Sequence, residues 1–212
     1  MVIIIVAQGK HNPFIQVDRM GRPEVEWRSS NRSLAMVMSR SRIYPLFTEE
    51  QLRVRIKEMG EQLTKDYAGH NPVVIGLLNG VFPFFADLTR AMDLDMDISF
   101  MRVSSYGGGT DSTGEVKIIH DLDKSIRGRH ALIVEDIVDT GLTLHKVRNL
   151  LLDREPLSLK IVSLLDKPSR RRVEVPVDYI GYSIEDHFVV GFGLDLDGKY
   201  RNLPYVGIYN PA

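Results

Sequence analysis

From Val73 onward, short apolar runs alternate with stretches of helical period, and this alternation limits the fold more than any other feature of the sequence. Val73–Leu78, Asp97–Val103, Ala131–Val134, Leu159–Leu165, Tyr179–Tyr182, Phe188–Phe192 and Val206–Tyr209 read as short strands. Glu115–His120 reads as a further strand, returning from a polar, glycine-rich loop over Ser104–Gly114. Upstream, Thr48-Glu-Glu-Gln51 fits a capping box, in which a hydroxyl and an amide side chain satisfy orphan backbone donors at a helix start. Leu52, Ile56, Met59, Leu63 and Tyr67 then recur at spacings of three and four, and Gly69 with Asn71-Pro72 ends the helix. After Asn79-Gly80, Pro83 suits the first turn of a helix carrying Phe84, Phe85, Leu88 and Met92. Leu144, Val147, Leu150 and Leu151 mark another helix.

Strands alternating with helices predict an α/β fold with a mainly parallel central sheet covered on both faces. Ligands of such sheets lie outside the carboxyl ends of the strands. The loops after Leu78, Val134 and Leu165 are therefore the places to look for chemistry. No GxGxxG and no GxxxxGK[ST] is present, so neither a dinucleotide fold nor a P-loop ATPase is supported.

Composition narrows the chemistry further. With no cysteine, disulfides, thiolate zinc sites and cysteine nucleophiles are excluded, and a cytoplasmic setting is expected. A formal net charge of −1 argues against nucleic-acid binding by bulk charge. No apolar run approaches the length of a membrane span, and the run at the start of MVIIIVAQGK is too short and lacks the basic flank of a signal peptide. Residues 1–42 hold scattered Gly, Pro and Arg with no sustained period, and read as an N-terminal extension, flexible or non-native. Met36 and Met38, just before the patterned part begins, also fit an upstream segment translated from a misassigned start. Residues 43–212 read as one domain.

The most informative segment is Ala131-Leu-Ile-Val-Glu135-Asp136-Ile-Val-Asp139-Thr140-Gly141-Leu142-Thr143. Two carboxylates stand where a buried strand is expected to end, a third follows, and Thr-Gly-Leu-Thr opens a helix. Outward-pointing amides at a helix N-terminus suit a phosphate, and Gly141 allows its close approach. Glu135 and Asp136 would repel that phosphate; they suit sugar hydroxyls or Mg²⁺, a hard ion that prefers oxygen. Solvated capping acids are the plainer reading.

This segment resembles the 5-phosphoribosyl-1-pyrophosphate (PRPP) motif of the purine phosphoribosyltransferases, and its context, from Ile43 to Tyr209, resembles the hypoxanthine-guanine branch of that family. The resemblance implies a type I phosphoribosyltransferase fold with a small hood over the site. It implies a pentosyltransferase of purine salvage, with Mg²⁺ as cofactor. PRPP and hypoxanthine or guanine would give IMP or GMP and pyrophosphate, in a homodimer or homotetramer. Glu135 and Asp136 would hold the ribose hydroxyls, one of them through magnesium, and Asp139 would be the general acid/base facing N7 of the purine. Asp139, Thr140, Gly141, Leu142 and Thr143 would bind the 5'-phosphate, although relatives often carry Lys where Leu142 stands, so Leu142 would offer only its backbone.

Leu78, Asn79 and Gly80 resemble the pyrophosphate loop, with a non-proline cis bond between Leu78 and Asn79; a plain turn is the alternative. Ser105-Tyr106 resembles the start of the hood. Lys167 resembles the lysine that reads O6, Phe188 the ring that stacks on the purine, and Val189 the backbone that reads its edge. Asp195 resembles a residue near a second metal and Arg201 the pyrophosphate clamp. Arg170, Arg171 and Arg172 form the densest basic run and read as a solvated loop. Two other readings stay open: a xanthine-preferring transferase, and a PRPP-sensing regulator on the same fold. A phosphoacceptor domain would not account for all the motifs together.

Overall fold

The computed structural model describes residues 16–17, 23–24, 42–105 and 116–211 of the 212. The expectation for residues 1–42 lies almost wholly outside the described residues. Only β1 (Gln16–Val17) and β2 (Pro23–Glu24), an antiparallel pair, and Arg42 fall within them.

The main sheet has six strands in the order β6-β5-β4-β7-β8-β9. These are β4 (Val73–Leu78), β5 (Asp97–Ser105), β6 (Val116–His120), β7 (His130–Val138), β8 (Ser158–Asp166) and β9 (Tyr179–Ser183). All neighbours are parallel except β6, which returns antiparallel to β5. Helix α1 (Glu49–Asp66) and α2 (Phe82–Ala91) cover one face and α3 (Leu142–Leu152) the other. The fold class is thus the α/β architecture expected.

Period-two alternation divides the apolar runs between two cores. Val74, Leu132 and Val134 pack with the α1 and α2 side chains, whereas Val73, Ile75, Leu77, Ala131 and Ile133 pack with Leu144, Val147 and Leu151 of α3. Gly76 leaves room on the first face for Phe85 and Phe100, whose rings lie 4.7 Å apart. The capping box at α1 is formed on both sides: Gln51 N donates to Thr48 Oγ1 at 3.2 Å, and Thr48 N donates to Gln51 Oε1 at 2.9 Å.

A second, antiparallel sheet has the order β10 (Val189–Val190), β11 (Val206–Tyr209), β3 (Ile43–Phe47). β3 carries Pro45 and lies at the sheet edge, where a missing amide is tolerated. No helix among the described residues is long and apolar enough to cross a membrane.

One strand corrects the expectation. β7 does not end at Val134 but runs through both acids to Val138, because its ladder with β8 continues as far as Val138↔Asp166. Its ladder with β4 stops at Gly76↔Val134, while β4 stays with β5 to Leu78↔Arg102. The sheet therefore splits between β4 and β7. That split falls where the order of connections reverses, the switch point at which open α/β sheets hold ligands.

Candidate active site

The split is walled on one side by the turn after β4. There the Leu78–Asn79 peptide is cis, as the resemblance implied. The other wall is the end of β7. The two walls touch at Gly80, where any Cβ would run into the Asp136 carboxylate. Gly193, at φ +99°, likewise leaves no space for a Cβ beside the Gly80 carbonyl. These two glycines let three segments converge: residues 78–80, the acids of β7, and the loop from Gly193 to Arg201.

Arg201 is held within that loop. Its Nη1 donates to the Gly193 carbonyl at 2.6 Å, and its Nη2 pairs with Asp195 Oδ1 at 2.6 Å. The second Asp195 oxygen accepts the Gly198 amide at 2.8 Å. A planar guanidinium fixed this way faces the cleft with a defined orientation. Asp195 itself is engaged on both oxygens, and its charge reaches Asp136, whose pKa it helps to raise.

Glu135 and Asp136 lie deep in the split, crowded by protein yet still reached by solvent. Burial holds Glu135 well above the usual carboxylate range, and Asp136 adds repulsion. Burial also pushes Asp136 up to about 6, opposed by its hydrogen bonds from the Ile137 amide and its own, and by Arg201. Among the described residues neither acid makes an ion pair. An adjacent acid pair without a cation is a donor set of hard oxygens suited to Mg²⁺. Among the described residues no three His, Cys, Asp or Glu side chains gather as a closed metal cage.

The next segment forms a cradle. The Thr140 carbonyl accepts the amides of Arg172 at 3.0 Å and Val173 at 3.4 Å, which fixes the turn from behind. Gly141 has φ +79°, and a Cβ there would press on the Val173 carbonyl at 3.0 Å. Gly141 caps α3 without a side chain, so the first amides of the helix, with the Thr140 and Thr143 hydroxyls beside them, remain available for an anion. Leu142 offers only its backbone at this point; its amide lies 3.5 Å from Thr140 Oγ1.

Lys167 follows β8 directly and is only 8% exposed along its side chain. Burial pulls its pKa down, while Asp139 and Asp186 pull it back up. Its backbone amide donates to Val138 O at 2.9 Å, tying it to the strand that carries the acids. Phe188 is half exposed and meets the Tyr209 ring edge-on at 6.1 Å. Val189 is buried in β10 opposite Ile208, so its side chain belongs to the core. Ser105 ends β5; Tyr106 lies outside the described residues, as does most of the expected hood.

The arginine run is solvated only in part, since Arg170 and Arg172 are exposed but Arg171 is not. The Arg171 side chain is 17% exposed; it pairs with Asp166, 7% exposed, and its Nη1 donates to the Asp139 carbonyl at 2.6 Å. Arg170 Nε lies 3.2 Å from Asp139 Oδ1. The available signal was Asp166, an acid at the end of a buried strand, which needs a counter-charge nearby.

Residues 46–197 match the phosphoribosyl transferase domain. A hypoxanthine-guanine phosphoribosyltransferase of Streptococcus thermophilus is 51% identical over 163 residues, covering 77% of this chain and 91% of that protein. The hypoxanthine phosphoribosyltransferase of Escherichia coli is 52% identical over 164 residues, covering 76% and 92%. A crystal structure of a hypoxanthine phosphoribosyltransferase from Staphylococcus aureus superposes with a TM-score of 0.79 at 50% identity, covering 82% of this chain and 95% of that one. With the domain matching residues 46–197 of the chain and relatives half identical across nearly their whole length, the protein belongs to the phosphoribosyltransferase family.

Proposed function

We propose that the protein transfers the 5-phosphoribosyl group of PRPP to N9 of hypoxanthine or guanine, releasing pyrophosphate and forming IMP or GMP. The observation that carries this reading is the placement of an acid, Asp139, and a buried lysine, Lys167, at the carboxyl ends of the paired strands β7 and β8, beside the anion-ready start of α3 and next to the split in the sheet.

The α3 amides with the Thr140 and Thr143 hydroxyls bind the 5'-phosphate, and this fixes the ribose over β7. Glu135 and Asp136 accept from its 2' and 3' hydroxyls and hold Mg²⁺. When bound, Mg²⁺ neutralises charge on the departing pyrophosphate. Arg201 and the backbone of residues 78–80 face the same leaving group. Asp195 orients Arg201 and would help hold a second metal ion. Phe188 stacks on the purine, the Val189 backbone reads its edge, and Lys167 donates to O6. A donor there favours 6-oxopurines over adenine, whose 6-amino group is itself a donor. Asp139 takes the N7 proton as N9 attacks C1'. Most of the rate enhancement is positional and electrostatic, because charge develops on the leaving group and the ribose ring. Ser105 and Tyr106 open the hood that would exclude water. Residues 43–212 constitute the catalytic domain, working in the cytoplasm as a homodimer or homotetramer, which sedimentation would read out.

The test is pyrophosphate release from PRPP and Mg²⁺ with hypoxanthine, guanine, xanthine or adenine in turn. Release with the first two supports the reading. Release with xanthine alone would reassign the base, and no release with any base would leave a PRPP-binding regulator as the better account.

A further inference from the structure

Asp139 and Lys167 are not isolated from each other. Lys167 Nζ lies 3.9 Å from Asp186 Oδ1, Asp186 Oδ2 lies 3.5 Å from Arg170 Nη1, and Arg170 Nε lies 3.2 Å from Asp139 Oδ1. The four side chains form a line of alternating charge. They come from three places: the turn between β7 and α3, the short 3-10 turn Pro168–Arg170 after β8, and the connection between β9 and β10. The 3-10 turn is itself fixed, since the Arg170 amide donates to the Lys167 carbonyl at 3.1 Å and Arg171 ties the turn to Asp166 and to the Asp139 backbone.

We propose that Arg170 and Asp186 are positioning residues of the transfer reaction, holding the Asp139 carboxylate and the Lys167 ammonium at a set separation so that N7 and O6 of one purine ring are met together. The proposal rests on the phosphoribosyl-transfer reading given above. Arg170, Asp139 and Asp186 have side-chain exposures of 46%, 39% and 54%. Exposed pairs of this kind add little to stability, about 0–1 kcal/mol each. Their value lies in where they end. One end is the group that takes a proton, and the other is a lysine that burial pushes toward its neutral form. The charged groups facing that lysine are Asp139 and Asp186, which favour its ammonium, and Arg170, which opposes it.

Three variants separate positioning from mere structure. Arg170→Gln frees the Asp139 carboxylate. It should lower kcat/KM for hypoxanthine about tenfold, since small misplacements of a reacting group cost that much, with KM for PRPP within about twofold of wild type on the same grounds. Arg170→Lys restores the charge and should recover part of the loss. Asp186→Asn removes a counter-charge from Lys167, so the basic limb of the kcat/KM profile for hypoxanthine should move to lower pH. Melting curves of these surface variants should overlay the wild type.

If wild-type protein turns over hypoxanthine while Arg170→Gln keeps kcat/KM within about twofold and the basic limb of Asp186→Asn does not move, the inference is overturned and the function stands. If wild-type protein releases no pyrophosphate with any base, the functional reading itself has failed.

Discussion

Two sets of carboxylates at opposite ends of the central sheet are treated in opposite ways. At the amino end, Asp97 meets Arg129 at 2.9 Å and Lys124 at 3.4 Å, Asp121 meets Arg154 at 2.8 Å, and Asp66 accepts from Tyr179 at 2.8 Å. Each is held below the usual carboxylate range, chiefly by those hydrogen bonds. At the carboxyl end, Glu135 and Asp136 are held above that range by burial, with no ion pair of their own among the described residues. Acids that serve the fold carry their own partners. Glu135 and Asp136 do not, and their unfavourable ionisation marks them as candidates for a ligand site; Asp139 and Asp166 at the same end are paired with Arg170 and Arg171, so the contrast belongs to these two acids of β7. The difference lies in placement, because the same residue type is stabilising at one end and frustrated at the other.

This contrast can be broken in several ways, beginning with the largest expected effect. Asp139→Asn should lower single-turnover transfer by about 10²-fold or more, the range of a lost general acid/base; turnover within about tenfold of wild type would remove Asp139 from that role. Gly80→Ala forces a methyl group against Asp136. It should raise KM for PRPP and destabilise the fold by about 1–3 kcal/mol, as overpacking does, and an unperturbed KM would show that the three segments need not converge.

Asp136→Asn addresses the frustrated end directly. The folded chain holds this proton up to about pH 6, whereas an ordinary aspartate loses it near 3.8. Between those values the folded state binds more protons than the unfolded one, so stability falls as pH rises through the window. Removing the charge should therefore stabilise magnesium-free protein above pH 6 by something on the order of 1–2 kcal/mol, with the gain vanishing near pH 4 and activity lost throughout. The smallest effect belongs to Asp97→Asn. Its depressed pKa contributes stability that is present above about pH 4 and lost only in stronger acid, so at neutral pH the variant should melt slightly earlier and transfer phosphoribosyl groups at the wild-type rate.

Much of this was legible in the sequence wherever the signal was local. The Thr48 capping box, the buried run of β4 and the glycine start of α3 depend on neighbours in the chain, and they fold as read. Candidate site residues could be named from the sequence because the motifs that suggest them are contiguous. What escaped the sequence depends on tertiary pairing. Glu135 and Asp136 resemble a strand end, yet β8 extends the ladder past them to Val138. The strand Ile43–Phe47 is interrupted by Pro45 and declares itself only through β11. Arg171 reads as one of three solvated arginines until Asp166 is found buried against it. The split between β4 and β7, which makes the site, arises from two ladders that end at different residues, and no local pattern encodes that.

The most direct measurement is a pair of melting curves at pH 8 in the absence of magnesium, one for Asp136→Asn and one for Asp97→Asn, each against wild type. The account predicts opposite signs: the first variant melts higher and the second lower, and added Mg²⁺ with PRPP stabilises the wild type but not Asp136→Asn. If both variants melt lower, the acids of β7 are compensated within the fold, and the contrast between the two ends of the sheet is wrong.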